Sequence, residues 1–93
     1  MYTLQVTTQF KKDLKKVKKR PKDYNLTKNL ILLLQQNGVQ GLPQKVKPHR
    51  LIGEFKDNWE CHIKPDLLII WIQIEAPKTI KLIRLGSHAD LFK

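Results

Sequence analysis

Three histidines, His49, His62 and His88, all fall after residue 48, each at the edge of an expected element rather than inside an apolar run. Asp66 follows Pro65 in a turn, and Arg84 stands two residues before Gly86. These are the residue types that metal-free cleavage of RNA requires. Imidazole gives and takes protons near neutral pH. A base removes the 2′-hydroxyl proton, the oxygen attacks the adjacent phosphorus, and an acid protonates the departing 5′-oxygen. A guanidinium stabilises the negative charge gathered on the phosphorane, best through two parallel hydrogen bonds. A single histidine is more often a surface or hydrogen-bonded residue than a catalyst, so only geometry can turn these types into a site. A metal centre built on His62, Asp66 and another histidine is disfavoured. His62-Ile63-Lys64-Pro65-Asp66 is no recognised ligand spacing, Lys64 opposes a cation, and Cys61 should face away from His62 toward the core. No metal and no cofactor are expected.

Charge points to a polyanionic partner. The net charge is +10. Twelve of the eighteen lysines and arginines precede residue 51, against two of the eight acids, so the excess lies wholly in the first half. Lys11, Lys12, Lys15, Lys16, Lys18, Lys19, Arg20 and Lys22 form its densest run. Such asymmetry favours nucleic acid over a membrane surface; the bland alternative is a solvated helix face that keeps the protein soluble. The longest apolar run, Leu67 to Ile72, is strand-sized, so no membrane span is expected. Met1 to Phe10 lacks a signal-peptide pattern, and the lone Cys61 can form no intrachain disulfide. The expected compartment is the cytoplasm.

The elements that must position these residues follow from periodicity. Tyr2 to Val6 alternates and predicts a strand. Thr7 or Thr8 can cap a helix over Gln9 to Arg20, whose apolar stripe is Phe10, Leu14 and Val17; Pro21 stops it. Asp23 can cap a second helix through Gln36, with Leu26, Leu30, Leu33 and Leu34 on its buried face and Asn37-Gly38 as a left-handed stop. The short connection implies an antiparallel helix pair. Val39 to Pro48 reads as a loop and Arg50 to Phe55 as a short strand or turn. In Trp59 to Ile63, Trp59, Cys61 and Ile63 share one face, and Glu60 and His62 share the polar one. Leu67 to Ile74 is apolar on both faces, the mark of a central strand. Thr79 to Leu85 is a further strand, and Ser87 can cap a last short helix, His88 to Phe92. The expectation is one α+β domain over residues 1–93, with order β-α-α-β-β-β. Its twisted sheet is antiparallel-dominated, with the two N-terminal helices packed on one face.

Three segments in this order make the reading specific: His49-Arg50-Leu51-Ile52-Gly53, then Glu60-Cys61-His62-Ile63-Lys64-Pro65-Asp66-Leu67-Leu68-Ile69-Ile70-Trp71, then Arg84-Leu85-Gly86-Ser87-His88-Ala89-Asp90-Leu91-Phe92. Together with the two preceding helices, they resemble the YafQ branch of the RelE/ParE toxin superfamily over nearly the whole chain. The resemblance implies a RelE-like fold and an endoribonuclease that cleaves mRNA in the ribosomal A site. It also implies neutralisation by a co-expressed antitoxin in a hetero-oligomer. By position, His49, His62, Asp66 and His88 match the family's acid–base residues, Arg84 its arginine, and Phe92 a C-terminal aromatic that supports activity. Leu67 departs, since some members carry tryptophan there; a lost stacking surface would alter codon preference or rate. The lysine helix would grip rRNA phosphates or meet an acidic antitoxin segment. Which histidine is base and which acid does not follow from the sequence. His88 is the preferred acid, because it opens a helix whose start can also receive phosphate. The alternative is a binding module: a ParE-like inhibitor of a protein target, or a toxin fold that only binds RNA.

Overall fold

The computed structural model describes residues 1–53 and 57–92. Strand β1 is Thr3–Val6, followed by helices α1 (Thr8–Val17) and α2 (Pro21–Asn37). Two 3-10 turns, Gly38–Gly41 and Gln44–Val46, fill the expected loop. Then come β2 (His49–Arg50), β3 (Trp59–Lys64), β4 (Leu67–Glu75), β5 (Lys78–Gly86) and the short helix α3 (His88–Leu91). The sheet runs β1-β5-β4-β3-β2; β1 is parallel to β5 and every other pairing is antiparallel. The expected Arg50–Phe55 element is realised one residue earlier and only as β2, and its end at Phe55 lies outside the described residues.

The helix starts differ in how they are held. Thr7 caps α1 as anticipated, its hydroxyl accepting from the Phe10 N–H at 3.0 Å. In α2, Pro21 is the first helical residue, where its missing N–H costs nothing. Asp23 is therefore too far inside to cap. Its buried carboxylate instead accepts from Arg20 Nε and Lys64 Nζ, both at 2.8 Å, tying α2 to the end of β3. The buried stripe of α2 is Asp23, Thr27, Leu30 and Leu34, and Leu26 is exposed, contrary to the leucine pattern. Polar groups can hold this stripe because they are satisfied locally: the Thr27 hydroxyl donates to the Asp23 carbonyl at 2.8 Å. Gly38 ends α2 with φ +66°, and a Cβ there would meet the Gln73 amide at 2.7 Å.

β4 is covered on both faces, as its apolar run predicts. Toward the helices, Phe10, Val17, Leu30 and Leu34 pack on Cys61, Leu67, Ile69, Trp71, Ile80, Leu82 and Leu85. On the other face, Leu68 and Ile70 pack on Leu91 of α3, with Leu51 and Ile83 beside them. The end of β5 is the delicate place. β1 pairs with it only as far as Leu82, and beyond that α1 takes over the edge. The Thr7 hydroxyl donates to the Ile83 carbonyl at 3.0 Å, and the Leu85 N–H donates to the Asp13 carboxylate at 3.0 Å. Both would otherwise be orphaned edge groups.

Candidate active site

The sheet register assembles the site. His49 of β2 pairs with Glu60 of β3, Glu60 with Ile70 of β4, and Ile70 with Arg84 of β5. The next row is His62, Leu68 and Gly86, and α3 begins just beyond. Side chains alternate across a strand, so His49, Glu60 and His62 leave the same face, the one away from α1 and α2; at β5 a register shift beside Ile70 interrupts the alternation, and the Arg84 head group turns to Asp13 of α1.

On that face the rings form a continuous series. His49 and His62 lie 6.3 Å apart between centroids, His62 and His88 5.7 Å, and His88 and Phe92 6.3 Å. Asp66, from the β3–β4 turn, holds His88 twice: its Oδ1 accepts from the backbone N–H at 3.1 Å and faces ring Nδ1 at 3.2 Å. A carboxylate can only accept, so Nδ1 carries the proton and Nε2 is the nitrogen left for substrate. The His88 N–H, followed by its ring, holds the Asp66 carboxyl below the ordinary aspartate value. His49 is fixed from its other side. Lys47 adopts a left-handed backbone, φ +52°, and its carbonyl accepts from His49 Nδ1 at 2.8 Å. Such a conformation is uncommon for a residue with a side chain.

The structure corrects several expectations. The start of α3 is not open to phosphate, because Asp66 takes the His88 N–H and Ser87 and Asp90 cap each other at 3.1 Å. Leu67 is buried under the helices at 1% exposure, so it offers no stacking surface itself. Arg84 does not present a free fork: its Nε and Nη2 face the Asp13 carboxylate at 2.9 and 3.4 Å. Asp13 was missed by sequence reasoning. Its signal was available, since it is the one acid in the lysine run and falls on the Phe10–Leu14–Val17 stripe. Glu60 was also missed as a buried group; it is 4% exposed although it sits on the polar face of its strand.

The basic residues do not make one surface. Lys16 and Arg20 border the same 170 Å³ cavity as Arg84 and Gly86. Lys11, Lys12, Lys15 and Lys18 instead flank a 350 Å³ groove that also includes Leu14. Lys19 and Lys22 are exposed but line neither. Cys61 is buried in the core and burial pushes its thiol up to about 12, so it is no nucleophile near neutral pH. Among the described residues, no group of three or more His, Cys, Asp or Glu side chains is placed to hold a metal ion, and no helix is long and apolar enough to cross a membrane.

Residues 2–93 match the family model described as the bacterial toxin of type II toxin–antitoxin systems, YafQ. The mRNA interferase toxin YafQ of Escherichia coli strain K12 is 36% identical over 89 residues, covering 96% of this chain and 94% of the relative. Crystal structures of the E. coli protein superpose with TM-scores of 0.89 alone and 0.87 in its DinJ–YafQ complex, at 33% and 34% identity over all of both chains. A metal-bound toxin from Helicobacter pylori matches at 0.85 and 39% identity, covering 99% of this chain and 100% of that one.

Proposed function

Because this chain belongs to the YafQ family of bacterial type II toxin–antitoxin toxins, we propose that it is a ribosome-dependent mRNA endoribonuclease of the cytoplasm. The observation that supports this best is the series His49–His62–His88–Phe92 with Asp66 fastened to His88. A module that only binds has no need of three adjoining imidazoles, one of them with its tautomer fixed. In this reading a histidine base takes the 2′-hydroxyl proton and His88 Nε2 protonates the 5′-oxygen as it leaves. Asp66 orients the His88 ring and stabilises it when charged. Phe92 packs against His88 and a nucleobase. Arg84, aimed by Asp13, meets the phosphorane charge from the α1 side, and Lys16 and Arg20 extend that positive edge toward the RNA backbone.

The same family membership supports a cognate antitoxin as partner in a hetero-oligomer, as E. coli YafQ forms with DinJ. The chain works as one domain over residues 1–93, without a cofactor and without a metal. The metal-bound H. pylori relative makes that last point worth testing directly. Primer extension on a translated mRNA, with and without ribosomes, tests the whole reading. Cuts should require the ribosome and persist in EDTA once the ribosome's own magnesium is supplied. Growth arrest without cleavage would favour a toxin that acts by binding alone.

A further inference from the structure

Glu60 is a buried acid that the mechanism above does not use. It is 4% exposed, and among the described residues its Oε2 is buried with no hydrogen-bond partner. Its other oxygen, Oε1, lies 3.2 Å from His49 Nε2 and 4.0 Å from His62 Nε2.

The Lys47 carbonyl can only accept, so the 2.8 Å contact places a proton on His49 Nδ1. In a neutral imidazole the other nitrogen is then a bare lone pair. Here that nitrogen faces a carboxyl oxygen at hydrogen-bond distance. A lone pair against a carboxylate is repulsive, so the contact needs one more proton. Either His49 is an imidazolium facing a carboxylate, or neutral His49 accepts from a protonated Glu60. Burial acts in the same direction, because a carboxylate with one oxygen dry and unpaired is costly without a charged or proton-bearing partner.

We propose that Glu60 is a positioning residue of the candidate site, which keeps a second proton on the His49–Glu60 pair and so removes His49 from the role of general base. This rests on the ribonuclease reading for its catalytic consequence, though not for the proton pair itself. The general base is then His62, since His88 supplies the acid. His62 is suited to it: it is the middle ring, 6.3 Å from His49 and 5.7 Å from His88.

Nitrogen-15 NMR of the imidazoles in the full chain tests the pair without any cleavage. At neutral pH a proton should be found between His49 Nε2 and Glu60, in addition to the one on Nδ1. In Glu60→Gln the side-chain amide can donate to a neutral imidazole, so His49 should keep the Nδ1 proton alone. A wild-type spectrum showing only the Nδ1 proton, with none between His49 Nε2 and Glu60, would overturn the proposal, even if the variant failed to fold. So would a Glu60→Gln variant in which His49 stays doubly protonated, because Glu60 would then not be what keeps the second proton. In cleavage assays Glu60→Gln should lower kcat about tenfold or more with little change in KM, less than outright loss of an acid–base group. Its effect should vanish in a His49→Ala background, whereas a general structural role would add to that loss. If the NMR result holds and wild-type protein cuts no RNA, the ribonuclease reading fails and the proton pair stands.

Discussion

At the scale of single residues, His88 carries the sharpest expectation. Its Nδ1 is committed to Asp66, so Nε2 must do the chemistry. His88→Ala should slow cleavage by about 10²–10⁴-fold, the span for lost general-acid catalysis. Folding should survive, since the ring lies on an exposed helix start and Leu91, not His88, supplies the buried contact of α3. A substrate whose 5′-bridging oxygen is replaced by sulfur separates the roles, because sulfur leaves without a proton. It should largely rescue His88→Ala and leave Arg84→Ala impaired. Equal responses of the two variants would pass the acid role to another histidine. Cys61 gives a simpler test: with its thiol pushed to about 12 by burial, the folded protein should resist alkylation that the unfolded chain undergoes readily.

At the scale of elements, α1 does two jobs with two faces. Its lysines lie outside, and Asp13 faces the sheet, closing the edge of β5 and fixing Arg84. Changing Lys12, Lys15, Lys16 and Lys19 to Gln should weaken ribosome binding and reduce the slope of log affinity against log salt by about 0.7–0.9 per lost phosphate contact. Filter binding across a salt series checks this, and an unchanged slope would make the lysines a plain solvated face. Because the basic residues divide between two regions, Lys16 should weigh on cleavage more than its neighbours. Asp13→Ala should act differently. It leaves the Leu85 N–H without its partner, which costs about 1–3 kcal/mol of stability in a denaturant melt, and it frees Arg84, which lowers the cleavage rate.

At the scale of the whole molecule, Asp23 joins the helical layer to the site side. Its hydrogen bond from Lys64, aided by Arg20, holds its carboxyl below the usual aspartate value despite burial. A carboxyl depressed on folding stabilises the protein fully above the unfolded value of about 3.9, and that contribution is lost as pH falls through the folded value. Stability should therefore decline below about pH 4. Asp23→Asn should lower the neutral-pH stability by about 1–3 kcal/mol and flatten this acid slope, both measurable by thermal melts over a pH series. Asp66 and Glu75 are lowered too, by His88 and by Gln73 with Tyr2, and shift the balance in the same direction; both are well solvated and add little.

Local pattern determined the two helices, the strands β1, β3, β4 and β5, a threonine cap for α1 at Thr7 or Thr8, the Ser87 cap, the stop at Gly38 and the central place of β4, because each depends on neighbours within one turn or one strand; β2 was open between strand and turn. Residue types in three ordered segments likewise gave the candidate histidines, Asp66, Arg84 and Phe92. Tertiary structure decided the rest. Pairing β2 with β3 set His49 against Glu60, and only that register shows two acceptors competing for one imidazole. The 71-residue separation of Asp13 from Arg84 hid a salt bridge that no local pattern encodes. The exposure of Leu26 and the burial of Asp23 turn on how α2 rolls against the sheet, and ion pairs from Arg20 and Lys64 make that rotation tolerable. Local sequence fixes which groups a segment can offer; long-range packing fixes which of them meet, and hence where the protons can go.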